Sequence, residues 1–132
     1  MNWLIDTHTF LWSIMDPDRL GLKARDILQE SDNRIFVSVI SFWEISLKYA
    51  LGKISLIDIL PEQLPEAANQ IDFETLSLSA AEAATFYNLP NLGHKDPFDR
   101  LIIWQAIQNK MPLISKDKKF RDYNTLGLKL IW

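Results

Sequence analysis

The chain has no cysteine among its 132 residues, which removes disulfides, thiolate zinc sites and thiol nucleophiles in one step and fits a reducing compartment. It has only two histidines, His8 and His94, without the H-x-x-x-H spacing that sets two imidazoles on one helix face, so a paired-histidine zinc site has little basis. No stretch reaches the roughly 20 apolar residues of a membrane span. The beginning, MNWLIDTHTF, enters a strand directly and lacks a basic region followed by a long apolar run, so no signal peptide is read here and a cytoplasmic protein with no membrane role is expected. A basic excess is missing too: the net charge is −3, a weak argument against a general nucleic-acid binder, since local sign matters more than the total. There is no repeat, low-complexity tract or linker. With 48% hydrophobic and 23% charged residues, the chain reads as one ordinary domain, residues 1–132, with a normal core.

Five short apolar segments, mostly β-branched or aromatic, have the character of buried strands: NWLID (2–6), RIFVSV (34–39), FETLSL (73–78), PLIS (112–115) and LKLIW (128–132). Between them LGLKARDILQES, SFWEISLKYALGK, LPEQLPEAANQ, SAAEAATFY and DPFDRLIIWQAIQNK carry helical spacing, with Gly52 placed to end one helix and Pro112 following another. Residues 52–72 form the loosest stretch. Alternating strands and helices predict an α/β fold, a mainly parallel five-stranded sheet flanked by helices, because parallel neighbours need crossover connections. In such folds ligands bind beyond the carboxyl ends of the strands, so residues just after strands are candidate site residues.

Asp6 closes the first strand, Glu44 lies in the first turn of the helix after the second, and Asp117 comes two residues after PLIS. Asp96 and Asp99 open the helix that returns to PLIS, which brings its start to the same rim. Each acid has a plain structural reading. Asp6, Asp96 and Asp117 suit helix or turn starts, and Ser41 with Glu44 reads as an S-x-x-E capping box. Together the caps explain less, since Ser, Thr or Asn would serve as well.

Like charges held about 5 Å apart repel by roughly 3 kcal/mol per pair at an effective dielectric near 20, so five converging carboxylates call for a cation or a shared proton. An all-oxygen donor set selects a hard divalent ion, Mg²⁺ or Mn²⁺, completed by water and substrate phosphate. That chemistry is phosphoryl transfer or phosphodiester hydrolysis. His94 is a candidate for touching substrate or metal, and His8 a lesser one. Arg100 reads as an ion-pair partner of Asp99. Trp12, Trp43 and Trp104 read as core or subunit contacts, and Trp12, Trp43 and Tyr49 are more aromatic surface than this small sheet can cover, which predicts a homodimer. Lys116, Lys118, Lys119 and Arg121 gather around Asp117 with Phe120 among them, a solvated loop or a set of phosphate contacts.

Four stretches, LIDTHTFLW, SVISFWEISLKYALGKI, HKDPFDRLIIWQA and PLISKDKKF, together resemble the PIN domain, and more closely the VapC-type toxin ribonucleases of bacterial toxin-antitoxin pairs. The resemblance runs in the family's order over nearly the whole chain. It implies a Mg²⁺- or Mn²⁺-dependent endoribonuclease that acts on RNA and is neutralised by a partner antitoxin. By position Asp6, Glu44 and Asp99 match the family's core acids and Asp117 its fourth, more variable one. Many relatives have a single aspartate where this chain has two; Asp99 is taken as the metal ligand, with Asp96 as cap and as a candidate for supporting that ligand or holding a second ion. Lys116 and the hydroxyls of Thr7, Ser41 and Ser115 are the implied phosphate or water positioners. Two other readings remain open at this level. One is an aspartyl-phosphate phosphatase, although its second aspartate is replaced here by His8 and no GDG element follows. The other is a non-catalytic interaction module whose acids are only caps.

Overall fold

The computed structural model describes residues 1–132. Strands β1 (Asn2–Ile5), β2 (Arg34–Ser38), β3 (Phe73–Leu76), β4 (Leu113–Ile114) and β5 (Leu130–Ile131) form one sheet in the order β3-β2-β1-β4-β5, and all four pairings are parallel. The sheet is thus wholly parallel. Helices α1 (Thr7–Met15), α2 (Leu22–Gln29), α3 (Val39–Ala50), α4 (Leu64–Gln70), α5 (Ala80–Thr85) and α6 (Pro97–Gln108) supply the crossovers, with short 3₁₀ segments between several of them.

Side chains on the strands alternate between two cores, as the period of two requires. Trp3, Ile5, Ile35, Val37 and Ile114 face a core shared with Phe10, Leu11, Ala24 and Leu64. Leu4, Phe36 and Leu113 face the opposite core, filled by Ile102, Ile103, Trp104, Phe120 and Tyr123. Burial on both faces is why the strands read as continuous apolar runs.

The sequence places the elements but misses some limits. The second helix-forming stretch after β2 begins at Val39, not Ser41, and its cap is Ser38, whose hydroxyl accepts the Ile40 N–H at 3.0 Å. Ser41 and Glu44 are therefore inside α3, and the expected capping box does not form. Within the loose stretch 52–72, residues up to 60 are irregular, and 61–70 are helical, as the spacing of LPEQLPEAANQ predicts. Gly52 follows α3 with φ +70°, the left-handed conformation glycine adopts without a Cβ clash.

One buried polar link fixes α6 on the sheet. Ser38 Oγ lies 2.5 Å from Gln105 Oε1, and Gln105 Nε2 donates to the Ser77 carbonyl at 3.3 Å. Gln105 is fully buried, so this link both satisfies its amide and sets where the start of α6 meets the carboxyl ends of β1 and β2.

Candidate metal centre

The strand order changes direction at β1: β2 and β3 lie to one side of it, β4 and β5 to the other. A crevice forms at the carboxyl end of such a switch point. Ile5 pairs with Ile114 in the β1–β4 register, so Asp6 and Ser115, each one residue further on, meet at that end. The Ser115 hydroxyl reaches Asp6 Oδ2 at 2.5 Å, and Asp6 Oδ1 accepts the Thr9 N–H at 2.9 Å. Asp6 caps α1 with one oxygen and holds Ser115 with the other.

On α3, Ser41, Glu44 and Lys48 share one face. Glu44 is buried, and each oxygen of its carboxylate has a partner: Oε1 accepts from the Thr7 hydroxyl at 2.6 Å, and Oε2 lies 2.5 Å from Lys48 Nζ. Ser41 Oγ is 2.9 Å from the same Thr7 hydroxyl. Burial disfavours the charge on Lys48, but Glu44, Asp96 and Asp99 outweigh it and hold the ammonium pKa above its ordinary value.

Asp96 is the N-cap of α6, its Oδ1 accepting from the Phe98 and Asp99 amides at 2.9 and 3.1 Å, with Pro97 in the first helical position. Asp99 has no capping task. Its side chain is 22% exposed and faces Glu44 and Asp96, one carboxylate oxygen from each of the three lying within 4.8 Å of the others. A second group within the same distance joins Asp99 to Asp117 and His94, so Asp99 belongs to both. His94 Nε2 is 3.3 Å from Asp99 Oδ2, with its ring edge-on to Phe120. Asp117 Oδ1 accepts the Lys119 N–H at 2.9 Å, and Asp117 N–H donates to Ser115 Oγ.

This crowding has an electrostatic signature. Burial, then the charges of Asp96, Glu44, Asp6 and Asp117, raise the pKa of Asp99 from 3.8 to about 8. Burial also raises that of Asp6, against the hydrogen bonds from Ser115 and Thr9. The cap reading is thus geometrically right for Asp6, Asp96 and Asp117 and has no place for Glu44 and Asp99. The last two are acids that the local backbone does not need.

The donor set tests what could bind. Carboxylate oxygens from Glu44, Asp96, Asp99 and Asp117, with at most one imidazole, fit a hard divalent cation and not a thiolate or multi-histidine metal. Asp6 is outside both groups but close enough to act on Asp99 through its charge.

Other expected residues fall elsewhere. Arg100 does not pair with Asp99; it donates to the Leu89 carbonyl at 3.0 Å and stacks on Phe86. His8 is exposed and packs on Trp12. Lys116 is exposed, its Nζ 5.7 Å above the Trp12 ring. Trp104 is core, its indole donating to the Glu82 carbonyl at 3.1 Å. Trp12 is half-buried, covered by Arg19, Lys116, His8 and Trp132, while Trp43 is 59% and Tyr49 41% exposed. A cleft of about 210 Å³ between α1 and α3 is lined by Thr7, His8, Glu44, Lys48 and Lys53 and opens beside the acids. Lys48 was not singled out from the sequence. Its signal was the i,i+4 spacing from Glu44, where a glutamate followed by a lysine forms a helix-surface pair.

Switch-point crevice, wholly parallel sheet and acid rim define a class: residues 3–126 match the PIN domain model, and the chain belongs to that family. Among curated proteins it is similar to the ribonuclease VapC22 of Mycobacterium tuberculosis, 28% identical over 129 residues that cover 98% of this chain and 97% of that one. Its fold is that found in the crystal structure of VapBC2 from Rickettsia felis bound to a promoter DNA fragment (TM-score 0.70, 21% identity, 99% of this chain and 98% of that chain). It is also that of VapBC-1 from nontypeable Haemophilus influenzae (TM-score 0.66, 20% identity, 99% and 97%).

Proposed function

We propose that the chain is a Mg²⁺- or Mn²⁺-dependent endoribonuclease, the toxin of a toxin-antitoxin pair, whose activity a partner antitoxin restrains. The observation that carries this reading is Asp99, uncommitted to the backbone and shared by two donor groups at the switch point of a PIN fold. Similarity to a VapC ribonuclease along almost the full length, and a fold found in toxin-antitoxin complexes, support the choice of RNA and of an antitoxin.

Glu44, Asp96 and Asp99 would hold one ion, and Asp99 with Asp117 and His94 provides donors for a second. A divalent ion bound there supplies an activated water and neutralises charge on the scissile phosphate. The chain's part is to keep the carboxylates oriented and partly dry. Thr7, supported by Ser41, fixes Glu44; Ser115 fixes Asp6 and the turn that carries Asp117. Those hydroxyls act through the acids and Lys48 is paired with Glu44, so Lys116 and the cleft cation Lys53 are left to meet the RNA backbone. A second copy of the chain would cover Trp43 and Leu47, exposed at successive turns of α3, and Leu51 at its C-terminal cap.

The test is cleavage of single-stranded RNA by the purified chain. Cleavage with Mg²⁺ or Mn²⁺ that stops with chelator is expected. Undiminished cleavage after rigorous metal removal, or none with either ion, contradicts the reading.

A further inference from the structure

On the opposite side of Asp6 from the Lys48 cleft lies a second, smaller cavity of about 150 Å³, lined by Ser115, Lys116, Lys118, Arg121, Leu130 and Trp132. Ser115 joins it to the acid rim, since the hydroxyl that lines the cavity bonds Asp6. Three cations converge on this volume and none has a carboxylate within 4.0 Å. Surface cations ordinarily disperse or pair with the acids near them, and Asp117 stands in this very turn, committed instead to the Lys119 amide. The charge is left facing the cavity.

The aromatic wall is equally defined. Trp132 packs edge-on against Trp12, with ring centroids 5.7 Å apart, and Arg19 and Lys116 lie over the Trp12 ring. Gly21 backs the Trp132 indole so closely that a Cβ there would come within 2.8 Å of its Nε1. A glycine thus sets the position of the wall.

Unpaired cations beside an aromatic face are the recognition chemistry of single-stranded nucleic acid: charge for the phosphate, a ring for the base. We propose that this cavity is a subsite for a nucleotide of the RNA strand flanking the cleavage position, its phosphate held by Lys118 and Arg121 with Lys116 and its base against Trp132. The proposal rests on the ribonuclease reading and adds to it a strand path: the RNA crosses the acid rim and its flank descends on the β5 side. None of these four residues belongs to the acid cluster.

The experiment is a methylphosphonate scan. A short unstructured RNA is made with one neutral linkage at a time, and its binding is measured by fluorescence anisotropy to an Asp99→Asn parent, so that the strand stays uncut. In the parent, neutralising one linkage near the cleavage position weakens binding roughly five- to tenfold. In the Lys118→Ala/Arg121→Ala variant that loss disappears while losses at other linkages remain, and the slope of log affinity against log salt falls in magnitude by about 0.7 per phosphate contact removed. Gly21→Ala, which meets the Trp132 indole, moves it and weakens binding without changing the salt slope. If the double variant keeps the parent's scan and salt slope, the subsite is overturned. If the unmutated chain cuts no RNA with Mg²⁺ or Mn²⁺, the ribonuclease reading itself fails, a result visible without any variant.

Discussion

Lys48 Nζ sits 2.5 Å from Glu44 Oε2, one helical turn along α3, so the acid rim carries a cation of its own. The pair is poised between roles: Lys48 offsets part of the repulsion among Glu44, Asp96 and Asp99, and it competes for an oxygen that a divalent ion would use. Lys48→Gln should therefore tighten Mn²⁺ binding several-fold while lowering the melting temperature of the metal-free protein. Isothermal titration and thermal unfolding read the two effects. Unchanged affinity would show that the lysine is a bystander.

Asp99 gives the metal-free protein a pH dependence of known sign. Its folded pKa, about 8, lies above the ordinary 3.8, so the folded chain binds more protons than the unfolded one between those values. Stability from this group is complete below about pH 3.8 and is lost as pH rises through about 8. Metal binding must expel the same proton, so apparent affinity should rise by up to about tenfold per pH unit below 8 and level off above it. Asp99→Asn should flatten both trends. Titrations between pH 6 and 9 check this, and a metal affinity independent of pH would contradict it.

Ser38 has two tasks, capping α3 and meeting Gln105 in the buried link to α6. Ser38→Ala removes the cap and strands a buried amide oxygen, which should cost about 2–4 kcal/mol in urea unfolding. The replacement is small and leaves no room for overpacking. A loss below 0.5 kcal/mol, on the scale of ordinary surface substitutions, would show that the link is not structural.

A dimer should form through α3. Trp43 rests edge-on against Phe98 and, with Leu47 and Leu51, leaves an apolar stripe open along successive turns. Sedimentation at micromolar concentration should give twice the chain mass of 15.3 kDa, and Trp43→Glu should halve it. A monomer for the unmutated chain would refute the interface.

The strand cores and the convergence of the acids were legible because both follow from one-dimensional rules: apolar runs between helices, and acids just after strands, in the helix that follows one, or at the start of a helix returning to one. What escaped was set by contacts distant in the chain. The strand ending at Ser38 passes directly into α3, and the Ser38 hydroxyl that caps this helix also meets Gln105, 67 residues away; the local S-x-x-E at Ser41 points to a later start. Arg100 turned to Leu89 and Phe86 because α6 buries its other side, leaving Asp99 to the metal-site face. Trp12 looked like subunit surface, and only the fold brings Trp132, Arg19 and Lys116 onto it.

The central claim is that Glu44 and Asp99 are retained for a cation and not for the helices they sit on. Removing charge while keeping shape tests it: Asp6→Asn, Glu44→Gln and Asp99→Asn, compared with Asp96→Asn, which keeps the cap. The measurement is the rise in melting temperature produced by Mg²⁺ or Mn²⁺, since a bound ion stabilises the native state by mass action. The expected result is a metal-free protein as stable as or more stable than the parent in Asp6→Asn, Asp96→Asn and Asp99→Asn, and a less stable one in Glu44→Gln, which loses the Lys48 ion pair, with the metal-induced rise nearly abolished in Glu44→Gln and Asp99→Asn and RNA cleavage lost with it. Retention of the full metal-induced rise and of cleavage in Glu44→Gln and Asp99→Asn would contradict the account.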